Sequence, residues 1–329
     1  MTVSTVIPFY NLERYVRPCL DSVVAAFGRA GAGVSLELVC VDDGSTDSTS
    51  ALLDEYAASV STAPGLSVRV VHQENGGEGA ARNAGVAAAT GEWVTFLDGD
   101  DVWLPNQLEV AAQILQRHPA ADIVALKYAN FDDGGQPPEP THAEAKVFDL
   151  AESVPSEVVL EVGVFPTFFR REFVVRGSFS SLPLGADRLY MAQCFARART
   201  VVKCDAIVHG YRVRAGSMAR AVWNARKVSS QCDYAFGSLE ALAASGREIG
   251  VEGQSYLASL WLSDVPNRLA RLPRAERRAA WGHWVQTLGS GCVSALPRFD
   301  RVRRVLRGCS SSMSLSLAAA RMLRKLGIS

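Results

Sequence analysis

The sequence predicts an α/β protein: a mostly parallel sheet with helices on both faces, followed by a helical, basic C-terminal extension. Three observations carry that expectation. Over the first hundred residues, apolar runs of strand length alternate with segments of helical periodicity, the pattern of successive βαβ units. The strand-like runs end in acidic or glycine-containing turns, and it is at the carboxyl ends of its strands that an open parallel sheet gathers its ligand-binding loops. Beyond about residue 221 the pattern becomes helical, and residues 298–329 hold seven Arg and one Lys against one Asp.

Taken in order, Val3 to Phe9 is a first strand and Tyr15 to Ala26 a helix with apolar residues at i, i+3 and i+4. Ser35 to Val41 (SLELVCV) is a second strand, and Thr46 to Val60 returns to helical periodicity, with Asp47 early in it, where a carboxylate suits a helix N-terminus. Ser67 to His72 is a third strand, Glu78 to Thr90 an alanine-rich helix, and Trp93 to Leu97 (WVTFL) a fourth strand. A helix over Pro105 to Arg117 and a strand over Ala121 to Phe131 follow. The Pro/Gly/acid loop DDGGQPPEPTHAEAK (132–146) is the natural internal boundary. The expected organisation is therefore a domain over 1–220, with halves 1–131 and 132–220, and an extension over 221–329.

Composition narrows the function classes. The 329 residues are 48% hydrophobic and 21% charged, enough for about two domains at roughly 150 residues each, and far from a disordered chain. Lys+Arg 34 against Asp+Glu 34 leaves no net field to draw in nucleic acid. The seven cysteines are scattered, without a C-x-x-C pair, which argues against a disulfide framework or structural zinc. The N-terminus lacks a signal-peptide pattern, and no apolar stretch approaches the roughly 18 residues that span a bilayer. A cytoplasmic protein is expected.

Three strand endings carry chemistry. The first delivers Pro8, Phe9, Tyr10 and Asn11; the second Asp42, Asp43, Gly44 and Ser45; the fourth Asp98, Gly99, Asp100 and Asp101. Clustered carboxylates repel, so Asp98 and Asp100 point to a shared divalent cation, Mg²⁺ or Mn²⁺, held together with substrate phosphates. The competing reading is a helix cap, with Asp101 capping the segment after it. Asp42 or Asp43 can accept the N3–H of a uracil on which Tyr10 stacks, or the same residues make a turn and cap with no ligand at all. The stretch from Asn75 through Gly77 and Gly79 to Arg82 is a glycine-rich turn into a helix, able to present backbone N–H groups to an anion, with Arg82 one turn in. It follows the third strand, whereas the dinucleotide fingerprint belongs after the first.

Together, VIPFYN (6–11), VDDGSTD (41–47), ENGGEGAARNAG (74–85) and FLDGDD (96–101) resemble, in order and spacing, glycosyltransferase family 2, inverting enzymes with the GT-A fold. The resemblance is close over residues 3 to about 131 and looser to about 220. PTFFRREFV (166–174) looks like the family's segment before the acceptor site, LGADRLYMAQCFARA (184–198) like its G-E-D-x-x-F/Y region, and HGYRVRAGSMAR (209–220) like its Y-R-x-R-x-x-S loop. The resemblance implies Asp187 as catalytic base, Asp98 and Asp100 as the metal-binding D-x-D pair, and Pro8, Tyr10, Asn11, Asp42, Asp43, Asn75, Gly77, Arg82 and Gly99 as donor contacts. Arg212, Arg214 and Ser217 would close over the diphosphate, although Arg212 and Arg214 also suit a solvated strand face. Ala186 stands where the family has Glu.

The implied reaction moves a sugar from a nucleoside-diphosphate sugar, with uridine the favoured base, to a hydroxyl of a glycan or lipid-linked acceptor in surface polysaccharide or glycolipid synthesis. The basic tail (Arg301, Arg303, Arg304, Arg307, Arg321, Arg324, Lys325) suits either peripheral contact with the inner face of an anionic membrane or a solvated helix; vesicle sedimentation with and without the residues after Pro297 separates the two. Two other readings stand beside it. One is a non-catalytic sugar-nucleotide-binding module, encouraged by Ala186. The other is a sugar nucleotidyltransferase, whose glycine-rich signature belongs after the first strand, where PFYNLERY stands instead.

Overall fold

β-branched and aromatic residues fill the segments that become strands, and amphipathic, alanine-containing segments become the helices between them. The structure, a computed structural model, describes residues 1–60, 64–175, 178–214, 223–260 and 264–289. β1 (Thr2–Phe9), α1 (Val16–Phe27), β2 (Ser35–Asp42), α2 (Thr49–Val60), β3 (Leu66–His72), α3 (Glu78–Ala88) and β4 (Trp93–Phe96) alternate as the periodicity predicts. Next come β5 (Val102–Trp103), α4 (Gln107–Arg117), β6 (Ile123–Asp132), β7 (Ala145–Asp149), β8 (Ser153–Val154), α5 (Ser156–Glu161), β9 (Thr167–Arg170) and α6 (Arg171–Val175). The chain continues through α7 (Ala186–Phe195), β10 (Thr200–Val213), α8 (Ala225–Ala244), β11 (Glu248–Ile249), α9 (Val251–Ser259), α10 (Val265–Arg271) and α11 (Arg274–Gly289). Ser217, Trp261 and the basic stretch 298–329 lie outside the described residues.

The chain divides into two compact units that are not contiguous in sequence. The first takes Met1–Asp149, Val162–Ser181 and the stretch from Ala198 through β10; the second takes Leu150–Glu161, Leu182–Arg197 and the described residues after α8 begins.

The first unit is built on a nine-stranded sheet in the order β3-β2-β1-β4-β9-β6-β10-β5, with β7 also on β10. β3, β2, β1 and β4 run parallel to one another, as βα alternation requires. β9 enters antiparallel between β4 and β6, and β5 and β7 run antiparallel to β10, so the sheet is mixed beyond β4. On one face α1 (Val16, Leu20, Val23) and α4 (Leu108, Ala111, Ile114) close a core with Val3, Ile7 and Phe9 of β1. Each Val, Leu, Ile or Phe among them contributes about 1.5–3 kcal/mol on full burial. On the other face α3 packs so tightly that a Cβ on Gly85 would lie 2.3 Å from Val6 Cγ1.

Register decides where the loops meet. Phe9 pairs with Asp42, Asp42 with His72, and Val6 with Phe96, so the four parallel strands end on one edge. In the second unit α7 lies against α8, with Gly185 closely over the Tyr234 ring, and β8 pairs with β11. The five described cysteines (Cys19, Cys40, Cys194, Cys204, Cys232) are buried free thiols. Among the described residues no helix is long and apolar enough to cross a membrane.

Candidate active site

The loops after β1 and β2 are stapled together by side chains from both. Asn11, held at φ 51°, accepts the Thr46 N–H at 2.7 Å, and its own N–H donates to Ser45 Oγ at 3.1 Å. The Leu12 N–H donates to Thr49 Oγ1 and the Asp43 N–H to the Phe9 carbonyl. Pro8 precedes this staple, and Tyr10, projecting from it, is 48% exposed, an aromatic face available to a ligand.

Asp42 and Asp43 end β2 with different tasks. Asp42 accepts the Ser45 N–H at 3.0 Å and a bond from His72 Nδ1 at 3.2 Å; His72 Nε2 reaches Asp54 at 3.0 Å on its other side. Burial alone would raise the Asp42 carboxyl, but the bonds from Ser45 and His72 outweigh it and hold it below the usual range. His72 is raised, first by its bond to Asp42, with Asp54 adding and burial opposing. Asp43 instead receives the glycine-rich turn: its Oδ1 accepts from Gln73 Nε2 (2.7 Å) and the Gly76 N–H (2.8 Å), its Oδ2 from the Gly77 N–H (2.9 Å). Asn75 lies in the same turn, and Gly77 takes φ 84° where α3 begins, a left-handed conformation that favours glycine.

The pair Asp42–His72 makes stability depend on pH in a defined window. Asp42's native value lies below its unfolded one of about 3.9, so its contribution is present above that pH and lost as pH falls through the lowered value. His72's native value lies above its unfolded one of about 6.5, so its contribution is full below that pH and lost as pH rises through the raised value. The pair should therefore stabilise most between about pH 4 and 6.5. Urea unfolding of native protein and His72→Gln at a series of pH values tests this: native protein should lose more stability than the variant between about pH 5.5 and 8. Parallel curves would contradict it.

Beyond β4, Asp98 and Asp100 each have their own arginine partner. Asp98 Oδ1 accepts from Arg82 Nη2 at 2.8 Å, and Arg82 also bonds Glu78. The Arg82 guanidinium is buried, its centre 5.1 Å from the Phe165 ring and 5.3 Å from Phe179. Burial drives the Asp98 carboxyl well above the usual range; Arg82 pulls it back, and Glu78, Asp101 and Asp100 push it up. Asp100 pairs with Arg214, and its carbonyl accepts from Arg212 Nε at 2.6 Å. Arg212 lies over Phe131 (4.5 Å) and Tyr15 (5.3 Å) and faces Asp133 at 3.6 Å. Gly99 separates the two carboxylates because nothing larger fits: a Cβ there would meet the Phe9 ring at 2.5 Å and the Pro8 carbonyl at 2.8 Å.

Three readings of the sequence change here. Asp101 is not a helix cap. It is buried, accepting from His209 Nε2 at 3.1 Å and from the Arg212 N–H at 2.7 Å, while the residues after it form β5 and α4 starts only at Gln107, with Asn106 at its N-cap. The carboxylates also do not meet as a bare acidic cluster: among the described residues no three His, Cys, Asp or Glu side chains gather to hold a metal ion. Arg212 and Arg214 are no solvated strand face, at 10% and 28% side-chain exposure and in ion pairs. Trp103 is core, buried in β5 beside Phe168.

Asp187 belongs to the second unit, one residue inside α7 after Gly185, whose φ of 77° sets the turn. No side chain caps this helix, and among the described residues Asp187 has neither a hydrogen-bond nor an ion-pair partner, unlike every carboxylate of the β4 turn.

The comparisons with known proteins fit this architecture. Residues 4–176 match the sequence family described as Glycosyl transferase family 2. Glycosyltransferase GlyA of Streptococcus pneumoniae is 25% identical over 257 residues, covering 74% of this chain but 35% of GlyA, so the chain spans about a third of that relative. S. aureus TarS (residues 1–349), solved in complex with UDP-GlcNAc, superposes with a TM-score of 0.69 at 20% identity, covering 99% of this chain and 92% of that one. The mannosyltransferase PcManGT of Pyrobaculum calidifontis, in complex with GDP-Man and Mn2+, does so with 0.54 at 19% identity, covering 98% and 86%. The fold is thus GT-A-like. With more than half its length matched to one family, and with that family's strand-end segments gathered on one sheet edge, the chain belongs to glycosyl transferase family 2.

Proposed function

We propose that this chain transfers a sugar, with inversion, from a UDP-sugar to a hydroxyl of a glycan or lipid-linked acceptor, in surface polysaccharide or glycolipid synthesis. The observation that carries the reading is the turn Asp98-Gly99-Asp100 with Arg82, Arg212 and Arg214 around it, at the carboxyl edge of a parallel sheet. Guanidinium forks suit the fixed geometry of a diphosphate, and a cation on Asp98 and Asp100 would free those guanidiniums for phosphate oxygens. The complexes of TarS with UDP-GlcNAc and of PcManGT with GDP-Man support a nucleotide-sugar donor.

In this reading Tyr10 stacks on the base, and Asp43 Oδ2, with one donor from Gly77, has a lone pair left for a base N–H. Asp42 shapes the turn rather than the base contact, since Ser45 and His72 occupy it. Asp98 and Asp100 fit a divalent cation by donor chemistry: two carboxylates with 22% and 17% side-chain exposure suit Mg²⁺ or Mn²⁺ completed by phosphate and water. The cation, when bound, neutralises charge on the departing nucleoside diphosphate. Asp187 removes the acceptor hydroxyl's proton as it attacks. The catalytic domain is residues 1–220 and the extension 221–329, with its basic end a candidate for peripheral membrane contact.

A thermal-shift screen of nucleoside diphosphates with and without Mn2+ tests the donor half, since a ligand that binds only the folded state raises Tm by mass action. UDP with Mn2+ should raise Tm most, and Asp100→Ala should remove the metal-dependent part. No shift with any nucleotide would overturn the reading.

A further inference from the structure

His209 and Asp101 form a buried polar pair that the reaction as described does not use. His209 is 0% exposed and Asp101 1% exposed. The ring of His209 is stacked on Phe165 (6.2 Å, 24° between planes) and met edge-on by Tyr128 at 6.5 Å. Its Nε2 donates to Asp101 Oδ2, while its Nδ1 is buried with no hydrogen-bond partner among the described residues. A pair that leaves one ring nitrogen unsatisfied is a poor device for stability alone. Its value lies in geometry, because Asp101 directs its other oxygen to a backbone N–H, that of Arg212.

That bond joins two distant parts of the chain. Asp101 stands one residue past the Asp98–Asp100 turn, and Arg212 lies at the end of β10, with Arg214 the first residue after the strand. β5 supports the joint through Trp103 opposite His209 and Val102 opposite Gly210. Phe165 links the joint to the other side of the turn, since its ring lies under both His209 and the Arg82 guanidinium.

Resting on the nucleotide-sugar reading, we propose that His209 and Asp101 are positioning residues for diphosphate binding: together they hold the Arg212 backbone against the carboxylate turn, so that Arg212 and Arg214 stand beside Asp100. Neither side chain touches the donor. Loss of the His209 donor leaves Asp101 Oδ2 buried without its partner and frees the turn to shift against β10, and displacements of that size cost large factors in binding and rate.

The test compares UDP with UMP, which share the base and ribose and differ in the second phosphate. Calorimetric titration in Mn2+ is run on native protein, His209→Phe and His209→Gln, each first shown to unfold cooperatively. His209→Phe should raise the UDP Kd about tenfold or more and leave the UMP Kd within about twofold. His209→Gln, whose amide supplies a donor near the Nε2 position, should stay within about threefold of native for UDP. If His209→Phe does not fold, Asp101→Asn serves: with its amide oxygen on the Arg212 N–H it keeps the shape and that bond but turns its NH₂ toward His209, and the same split is expected. Native-like UDP binding by His209→Phe, equal weakening of UDP and UMP, or Gln no better than Phe would each overturn the proposal while leaving the functional reading intact. A native chain that binds no nucleoside diphosphate would overturn both.

Discussion

Asp187→Asn is expected to lower turnover of the UDP-sugar by about 10²–10⁴-fold while leaving the UDP Kd within about twofold. The amide keeps the shape of the side chain and its place at the start of α7, but it cannot take a proton. Asp98 and Asp100 are each paired with an arginine and Asp101 is bonded to His209, whereas Asp187 has no hydrogen-bond or ion-pair partner among the described residues. A carboxylate left unengaged at a helix start, where its charge is favoured by the dipole, is free to meet an acceptor hydroxyl. Ala186 stands beside it where the family resemblance expects Glu, so in the proposed role of Asp187 the Asn change acts on a single carboxylate. Transfer kinetics and calorimetry on the same sample give the answer: an Asn variant that loses UDP affinity and turnover together would make Asp187 structural.

Arg82→Met should destabilise the folded chain by about 2–3 kcal/mol, the cost of removing a buried guanidinium from a part-buried carboxylate. Arg82 bridges Asp98 and Glu78, and its guanidinium is clasped between Phe165 and Phe179, so Met retains much of the apolar contact and isolates the charge effect. The sign with pH follows from Asp98. Its native carboxyl lies above the unfolded value, so the folded state holds the proton where the unfolded state has released it, and stability falls as pH rises through that interval. Removing Arg82 raises the native value further and widens the interval. Denaturant unfolding should therefore show the largest loss at the alkaline end and a smaller one in acid. Asp98→Asn in the same background should recover part of the loss; a deficit that neither pH nor Asp98→Asn alters would place the role of Arg82 in packing.

The legible parts of the chain were those whose signal is local. β1, β2 and β4 are largely apolar runs with acidic or turn-forming ends, and their register brings Tyr10, Asp42 and Asp98 to one edge. What local signal lacks is the partner. The two residues of β5 are a strand only because β10 pairs with them more than a hundred positions later, and without that pairing Asp101 reads as a cap for the next helix. His72 and His209 show no ligand spacing because their partners, Asp42 and Asp101, lie 30 and 108 residues away. Asp47 was legible as a helix-start residue but two positions early in effect: it accepts the Thr49 N–H where α2 begins. Nor does any periodicity distinguish an antiparallel β9, as found between β4 and β6, from a parallel one.

That last strand has a consequence for synthesis. β4 (WVTF, buried throughout) finds its outer partner only in β9, and β6 needs the same strand. A chain emerging from the ribosome at roughly 5–20 residues per second therefore carries an unpaired apolar edge from the time Phe96 appears until Thr167–Arg170 arrives. During those seconds the nascent chain is exposed to edge-to-edge association. Fragments ending before Thr167 are in the same state permanently, and would be the ones to collect with chaperones or in inclusion bodies.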